Sequence, residues 1–463
     1  MWQPLEARGS HGDSKISDNN WNMRHSKEKK AQRRTFFCYY LFNCLLLTIF
    51  ARRKISHNRM NHEAKRVCFL CESVLSIGGV QRVLAVIATA LSRHHHVTIL
   101  TLHDDEGDDH SLYGLDATEV EIKCFHPTPP SAFSSRWHRL LSGLYRKVLP
   151  HNALTSRFYA RSSFPASLRR QYVKVLNEGD YDAIVGVHAG LSVKLATLRH
   201  RLHAPCVTGW MHNSYQALFE GERPYLGGLA SHFRFQMMRL DGWVVLCHGD
   251  AATYKSRLGL TPTVIHNPLT LVPGTPSLHT SKTFLCIGRM TPLHKGFDIL
   301  LQAFARFAPL HPEWNLLIVG EGPEKADHLT FIKTKHLEGR VRMAPFTSHI
   351  QPYYSQATCY VLASRWEGMP LVLAEAMSHH LPIISSDIPV AREILQSDFA
   401  LFFTSEHPEE LAQRMEEVAC MAPKTLDRMG DKAAEAAENF SIQTLLGRWE
   451  KLLFRQSELS DSK

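Results

Sequence analysis

The sequence predicts an α/β protein with two doubly wound parallel sheets, one in each half of the chain, facing a cleft. Three observations carry that expectation. The strands read as continuous apolar runs, the mark of sheets covered on both faces. Each run is followed by residues at helical spacing, which is the βα repeat of a parallel sheet. A segment at 271–282 with two prolines, a glycine and several Ser/Thr separates one series from the other as a linker would. Ligands of such sheets sit beyond the carboxyl ends of the strands, so the loops leaving those ends are where chemistry is to be sought.

The first series opens with a strand at 66–70 and turns at Ser76-Ile77-Gly78-Gly79. It continues with Val80, Leu84, Ile87, Ala88 and Leu91 on one face of a helix, then a strand at 97–102. A looser stretch follows. Alternation resumes with strand 182–187, helix 191–201, strands 206–210 and 243–246, helix 250–258 and a short strand at 264–265. Beyond the linker come strand 284–288, a helix at 299–307 with Leu300, Phe304 and Phe307 on one face, and strands 315–319, 359–363 and 382–386. A helix around 372–380 separates the last two strands, and 440–454 reads as a final helix. The expected organisation is a basic extension over 1–60, a first Rossmann-like domain over 61–270, the linker, and a second Rossmann-like domain over 283–438. A helix and tail over 439–463 are expected to pack back on the first domain.

A chain of 463 residues, 44% hydrophobic and 21% charged, has the composition of a globular protein with room for two or three cores. Its net charge of +9 is local. Residues 1–60 carry 12 Lys/Arg against 4 Asp/Glu, so the remainder is nearly neutral. Within that remainder no acidic residue falls between Glu121 and Glu178, whereas Lys123, Arg136, Arg139, Arg146, Lys147, Arg157, Arg161, Arg169, Arg170 and Lys174 all do. Ten cysteines at irregular spacing, mostly inside apolar runs, read as buried thiols of a reducing compartment. Cys68-x2-Cys71 has zinc or redox spacing but no second pair to complete a zinc site. The apolar run 35–51, 17 residues between Arg33-Arg34 and Arg52-Arg53-Lys54, is at the lower limit for crossing hydrocarbon. No small-residue cleavage site follows it. It is open to three readings: a membrane anchor, a surface-lying segment, or part of an extension ahead of a natural start at Met60.

Two loops of the second half carry the chemistry. In Ser364-Arg365-Trp366-Glu367-Gly368-Met369-Pro370-Leu371, a strand ends and Pro370 falls at the first turn of a helix, where its missing N–H costs little. Glu375 lies on that helix, wrapped by apolar neighbours, and a carboxylate so buried needs partners. The free N–H groups of the helix tip favour a phosphate. In Gly288-Arg289-Met290-Thr291-Pro292-Leu293-His294-Lys295-Gly296, Arg289 and Lys295 leave another strand end. Two cations there can neutralise a diphosphate and stabilise the charge that grows on it as a bond to it breaks.

Gly288-Arg289 with Lys295-Gly296, then Val319-Gly320-Glu321-Gly322-Pro323, then Glu367-x7-Glu375, in that order, resembles glycosyltransferase family 4 of the GT-B fold, over residues 65–454. Gly78-Gly79-Val80-Gln81-Arg82-Val83 is similar to the glycine turn of that family's first domain. The resemblance implies a retaining transferase that uses a UDP- or GDP-sugar. Glu367 would contact the transferred sugar, Arg289 and Lys295 would hold the diphosphate, and Glu375 would bind the ribose. Gly79, Gly368, Met369, Pro370 and Leu371 would line the donor phosphates, and the base would lie near Pro345-Phe346. It implies no cofactor, and with the Arg/Lys pair no metal is expected.

In the first half, Trp210-Met211-His212-Asn213 places His212 just past a strand, where the family often has a histidine near the donor sugar; His188 follows another strand. His94-His95-His96 reads as a solvated cap, and Asp104-Asp105-Glu106-Gly107-Asp108-Asp109 as a solvated acidic loop rather than a metal site. Arg136-Trp137-His138-Arg139-Leu140-Leu141 and Leu144-Tyr145-Arg146-Lys147-Val148-Leu149 mix cations with aromatic and aliphatic groups at helical spacing. That mixture fits an anionic membrane surface better than nucleic acid, for which no module is recognisable. The expectation is a cytoplasmic enzyme, peripheral at the inner face of the membrane, that transfers a hexose to a lipid-linked or lipopolysaccharide- or capsule-type glycan. A sugar epimerase of the same fold and a non-catalytic nucleotide-binding module are the alternatives.

Overall fold

Buried apolar runs pair into two parallel sheets. In the computed structural model the described residues are 64–454, apart from 106, 107, 110, 222 and 223; the stretch 35–51 and the rest of the 1–60 extension lie outside them. The first sheet holds β1 (Arg66–Cys71), β2 (His96–Thr101), β3 (Glu121–Cys124), β4 (Ala183–Val187), β5 (Cys206–Trp210), β6 (Gly242–Val245) and β7 (Thr263–Val264). Its strand order is β3-β2-β1-β4-β5-β6-β7. The second holds β8 (Thr283–Ile287), β9 (Asn315–Val319), β10 (Val341–Ala344), β11 (Cys359–Leu362), β12 (Ile383–Ser386) and β13 (Ala400–Phe403), in the order β10-β9-β8-β11-β12-β13. All strands run parallel, and the order in which they are added reverses between β1 and β4 in one sheet and between β8 and β11 in the other. Those switch points are where doubly wound sheets open a crevice for ligands. β1, β4 and β5 are buried along nearly their whole length, which is why they were plain in the sequence, whereas β3 alternates between exposed and half-buried residues at the sheet edge.

The chain ends by crossing back. The helix Ile442–Leu453, capped by Ser441, buries Trp449 against Phe69 of β1 (ring centroids 6.4 Å apart) and Trp210 of β5 (4.8 Å). One continuous apolar cluster therefore joins Val67 and Phe69 of the first sheet to Met369, Leu373 and Met377 of the second half.

One expectation changes. His95 is not a solvated cap: it packs on Phe454 (4.7 Å) and lies 3.6 Å from Glu450, so it holds the returning helix. The segment 271–282 that joins the two series is packed. Ser277 and His279 are buried, with the Ser277 hydroxyl donating to the Ala357 carbonyl and the two ring nitrogens of His279 meeting Asp427 (2.9 Å) and the His380 carbonyl (2.8 Å). Among the described residues no helix is long and apolar enough to cross a membrane.

Candidate active site

The two loops singled out in the second half lie side by side at the β8/β11 switch point. Arg365 staples them together: its guanidinium donates to the Leu293 carbonyl (2.6 Å) and to both oxygens of Asp298 (3.0 and 2.8 Å). Gly296 is indispensable to the approach. Its φ is +64°, and a β-carbon there would collide with the Ala363 carbonyl. Gly320 and Gly322 play the same part on the neighbouring turn, where β-carbons would strike the carbonyls of Gly288 and Met290.

This packing brings Lys295 Nζ to 2.6 Å from Glu367 Oε1. The Ser364 hydroxyl donates to the same oxygen at 2.7 Å, and His294, stacked on Trp366, places its Nε2 3.6 Å from Oε2. The Glu367 side chain is only 8% exposed. Burial alone would raise its pKa, but Lys295 and then His294 outweigh burial and hold it at about 2. Lys295 leaves its strand end as expected from the sequence, and there it pairs with Glu367. Arg289 is exposed and has no ion-pair partner among the described residues, which leaves it available. Phe346, 51% exposed, stands just past β10.

The helix after the loop is Leu371–Ser378, with Pro370 at its N-cap rather than inside its first turn. Glu375 on it is completely buried and has three side-chain partners. Its Oε1 accepts from Arg82 (2.6 Å) and the Thr270 hydroxyl (3.0 Å), and its Oε2 from the Tyr354 hydroxyl (2.8 Å). Arg82 belongs to the helix Gly79–Ser92 of the first half, so this ion pair bridges the cleft. The sequence analysis quoted Arg82 only as part of the glycine turn, and Ser364 and Arg365 only as part of the loop, and it missed Thr270 and Tyr354. A buried glutamate in an apolar helix signals the need for a partner without saying where it comes from.

Three further contacts close the cleft. A β-carbon on Gly79 would sit 3.5 Å from Leu371. A β-carbon on Gly368 would run into the His212 carbonyl, so only glycine lets the two loops meet. The Asn267 side-chain amide donates to the Met369 carbonyl at 3.4 Å. Gly79, His212, Lys295, Glu367, Gly368, Met369, Pro370, Leu371 and Glu375 therefore form one seam.

His212 is buried with its ring 5.2 Å from His188 and 4.2 Å from Trp210, and its Nε2 has no hydrogen-bond partner among the described residues. Burial, reinforced by His188, pushes its pKa well below the usual imidazole value, so the ring is neutral at pH 7. An uncharged imidazole with an unfilled nitrogen can exchange a hydrogen bond with a ligand hydroxyl. The acidic loop differs from its expected solvated form at its first residue. Asp104 is buried and accepts from Val74 N (2.7 Å), Leu75 N (3.2 Å) and the Ser73 hydroxyl, which fixes the loop leading into Gly78-Gly79. Among the described residues no three His, Cys, Asp or Glu side chains come together as a metal site.

Two doubly wound sheets closing on one seam are the GT-B architecture. The comparisons with known proteins agree. The family model described as Glycosyltransferase Family 4 matches residues 77–271, and that described as Glycosyl transferases group 1 matches residues 273–436. Together they run through most of the chain, which belongs to the family 4 glycosyltransferases. An uncharacterized glycosyltransferase of Haemophilus influenzae is 26% identical over 305 residues, 64% of this chain and 84% of that protein. The amylovoran biosynthesis glycosyltransferase AmsD of Erwinia amylovora is 38% identical over 116 residues, 25% of this chain and 32% of that enzyme. Among solved structures, Anabaena HepE in complex with UDP and glucose has a TM-score of 0.65 at 17% identity, covering 84% of this chain and 99% of that one.

Proposed function

We propose that this glycosyltransferase is a retaining hexosyltransferase. It takes its sugar from a UDP- or GDP-sugar and adds it to a lipid-linked or lipopolysaccharide- or capsule-type glycan at the cytoplasmic face of a membrane. The observation that carries the reading is the Lys295–Glu367 pair at 2.6 Å, buried at the switch point, with the exposed Arg289 two residues past β8 and without an ion-pair partner among the described residues. A carboxylate kept ionised in a dry site is suited to accept hydrogen bonds from sugar hydroxyls. The adjacent cations and the tip of the helix Leu371–Ser378 suit a departing diphosphate. Support for the acceptor class comes from the Erwinia relative, named for amylovoran biosynthesis. Support for the donor class comes from HepE, solved with UDP and glucose.

In this reading the bond between the anomeric carbon and the diphosphate oxygen breaks as the acceptor oxygen bonds to the same face. The acceptor's proton passes to the departing phosphate oxygen. Arg289 and Lys295 offset the charge that accumulates there, so no metal is required. Neutral His212 holds a hydroxyl of the donor sugar, Glu375 the ribose, and Phe346 the base. The test is a panel of nucleotide-sugars assayed for nucleoside diphosphate release with and without glycan acceptor. Release with one donor, stimulated by acceptor, is expected. An isomerised nucleotide-sugar with no release would establish an epimerase, and binding without turnover a non-catalytic module.

A further inference from the structure

The helix Ala132–Lys147 is built inside out. Its outward stripe is Phe133, Trp137, Leu140 and Leu144, continued by Val148, with exposures of 82%, 56%, 59%, 41% and 71%. Their spacing of three and four residues puts all five on one face. The face turned inward, against the helix Ala153–Ser163, carries Ser134, Ser135, His138, Leu141, Ser142 and the fully buried Tyr145, whose ring stacks on His151 and packs on Tyr159. Surface helices bury the apolar face and expose the polar one. Here the arrangement is reversed, and a row of large apolar groups this continuous marks a surface that a partner covers.

The charge around the stripe identifies the partner. Arg136 and Lys147 flank it on one side, Arg139 and Arg146 lie further round the same side, and all four are exposed. Arg157 and Arg161 on the following helix extend the basic surface. No aspartate or glutamate occurs between Glu121 and Glu178 to offset them. A second copy of this chain would bring like charges together. The chain's own apolar run at 35–51 is bracketed by arginine and lysine and would do the same. Aliphatic side chains at the centre of the stripe offer nucleic-acid bases nothing to stack on. An anionic bilayer fits both features, taking the apolar row below its headgroups and the arginines and lysine among its phosphates.

We propose that the helix Ala132–Lys147 lies flat on an anionic lipid surface, with Trp137 and Leu140 inserted at the acyl boundary. Docking needs no turnover, so its failure and the failure of the transferase reading are distinguishable.

The test uses the full chain with vesicles of phosphatidylglycerol and phosphatidylcholine, and with vesicles of phosphatidylcholine alone. Brominated acyl chains should quench part of the tryptophan fluorescence of the bound protein, and Trp137→Phe should abolish that part. Arg136→Glu with Lys147→Glu should lower partitioning onto the anionic vesicles at low salt by about thirtyfold or more, given roughly 1 kcal/mol for each cation near such a surface. Leu140→Ser with Leu144→Ser should weaken binding at any salt concentration. Circular dichroism and urea unfolding should match wild type in every variant. Quenching that survives in Trp137→Phe, together with partitioning indifferent to the charge reversals, would overturn the proposal. So would a concentration-dependent dimer abolished by Leu140→Ser with Leu144→Ser, or tight RNA binding abolished by the charge reversals.

Discussion

Replacing Lys295 by methionine keeps the bulk of the side chain and removes its charge, leaving Glu367 without its main partner. The cost can be worked from the site. Glu367 is held at about 2, where the ordinary value is 4.5. At about 1.4 kcal/mol per pH unit its surroundings favour the ionised form by roughly 3 kcal/mol. That balance is struck against burial, which opposes ionisation, so the combined attraction of Lys295 and His294 is at least of this order. Buried pairs that lose one partner typically cost about 3–5 kcal/mol. A group with a lowered folded-state pKa contributes stability above its unfolded value, and that contribution is lost as pH falls through the folded one. The gap between wild type and Lys295→Met is therefore widest at neutral pH. It closes as pH falls through the interval between 4.5 and about 2, where the wild-type carboxyl takes up its proton. The assay is a double-mutant cycle with Glu367→Gln, followed by urea unfolding at pH 7.5 and at about pH 3.5. A coupling of about 2–3 kcal/mol that shrinks at the lower pH is expected. Additivity within about 0.5 kcal/mol, or a coupling indifferent to pH, would show that the two side chains do not depend on one another.

Arg82→Met should leave Glu375 buried with two hydroxyl donors and no counter-charge. The expected loss is about 2 kcal/mol, because Arg82 is itself partly exposed, with faster hydrogen exchange over 79–92 and 371–378; Glu375→Gln in the same molecule should recover much of it, and exchange at the wild-type rate would count against a bridging role. Gly368→Ala should lower transfer at least tenfold with little change in melting temperature, since the added methyl forces the loop away from His212 by an overpacking of about 1–3 kcal/mol; a fully active variant would mean that the two loops need not meet. Transfer should persist in excess EDTA, and activity lost there but restored by manganese would refute diphosphate neutralisation by Arg289 and Lys295.

How much of this was legible in the sequence depended on the distance between partners. β1, β4, β8 and β9 announced themselves because short βα units repeat over continuous apolar runs. Lys295 and Glu367 were found because each stands in a motif at a strand end, although nothing local revealed that they touch. β3 and β13, each of four residues with half-exposed positions, carry too little periodicity to separate from loop. Asp104 and His95 were misread for one reason. A charged or imidazole side chain among polar neighbours looks solvated until the segment that covers it is placed. For Asp104 that segment is Ser73–Leu75, and for His95 it is the helix that returns at the end of the chain. The inverted helix Ala132–Lys147 was legible as a mixture of cations and apolar groups, but the inward direction of its serines was not.

The cleft is spanned by two carboxylates whose partners differ in kind, and the difference bears on how the halves can move. Glu393, on the helix Pro389–Ile394, accepts from the backbone N–H groups of His248 (2.8 Å) and Gly249 (3.2 Å) at the start of the helix His248–Leu258, and meets His266 Nε2 at 2.9 Å. Burial opposes its ionisation, but His266 and the two backbone donors outweigh burial and keep its pKa low. Backbone donors cannot swing aside, so this contact is fit to serve as a pivot. Glu375 is different, because Arg82 reaches it on a long flexible stem. A carboxylate offers about four acceptor positions, and three are already taken by Arg82, Thr270 and Tyr354 in a site with no exposure. A ribose bound by Glu375, as proposed, must take the remaining position or displace the guanidinium. In the second case the Arg82 side chain swings aside, whereas the main-chain donors that hold Glu393 cannot.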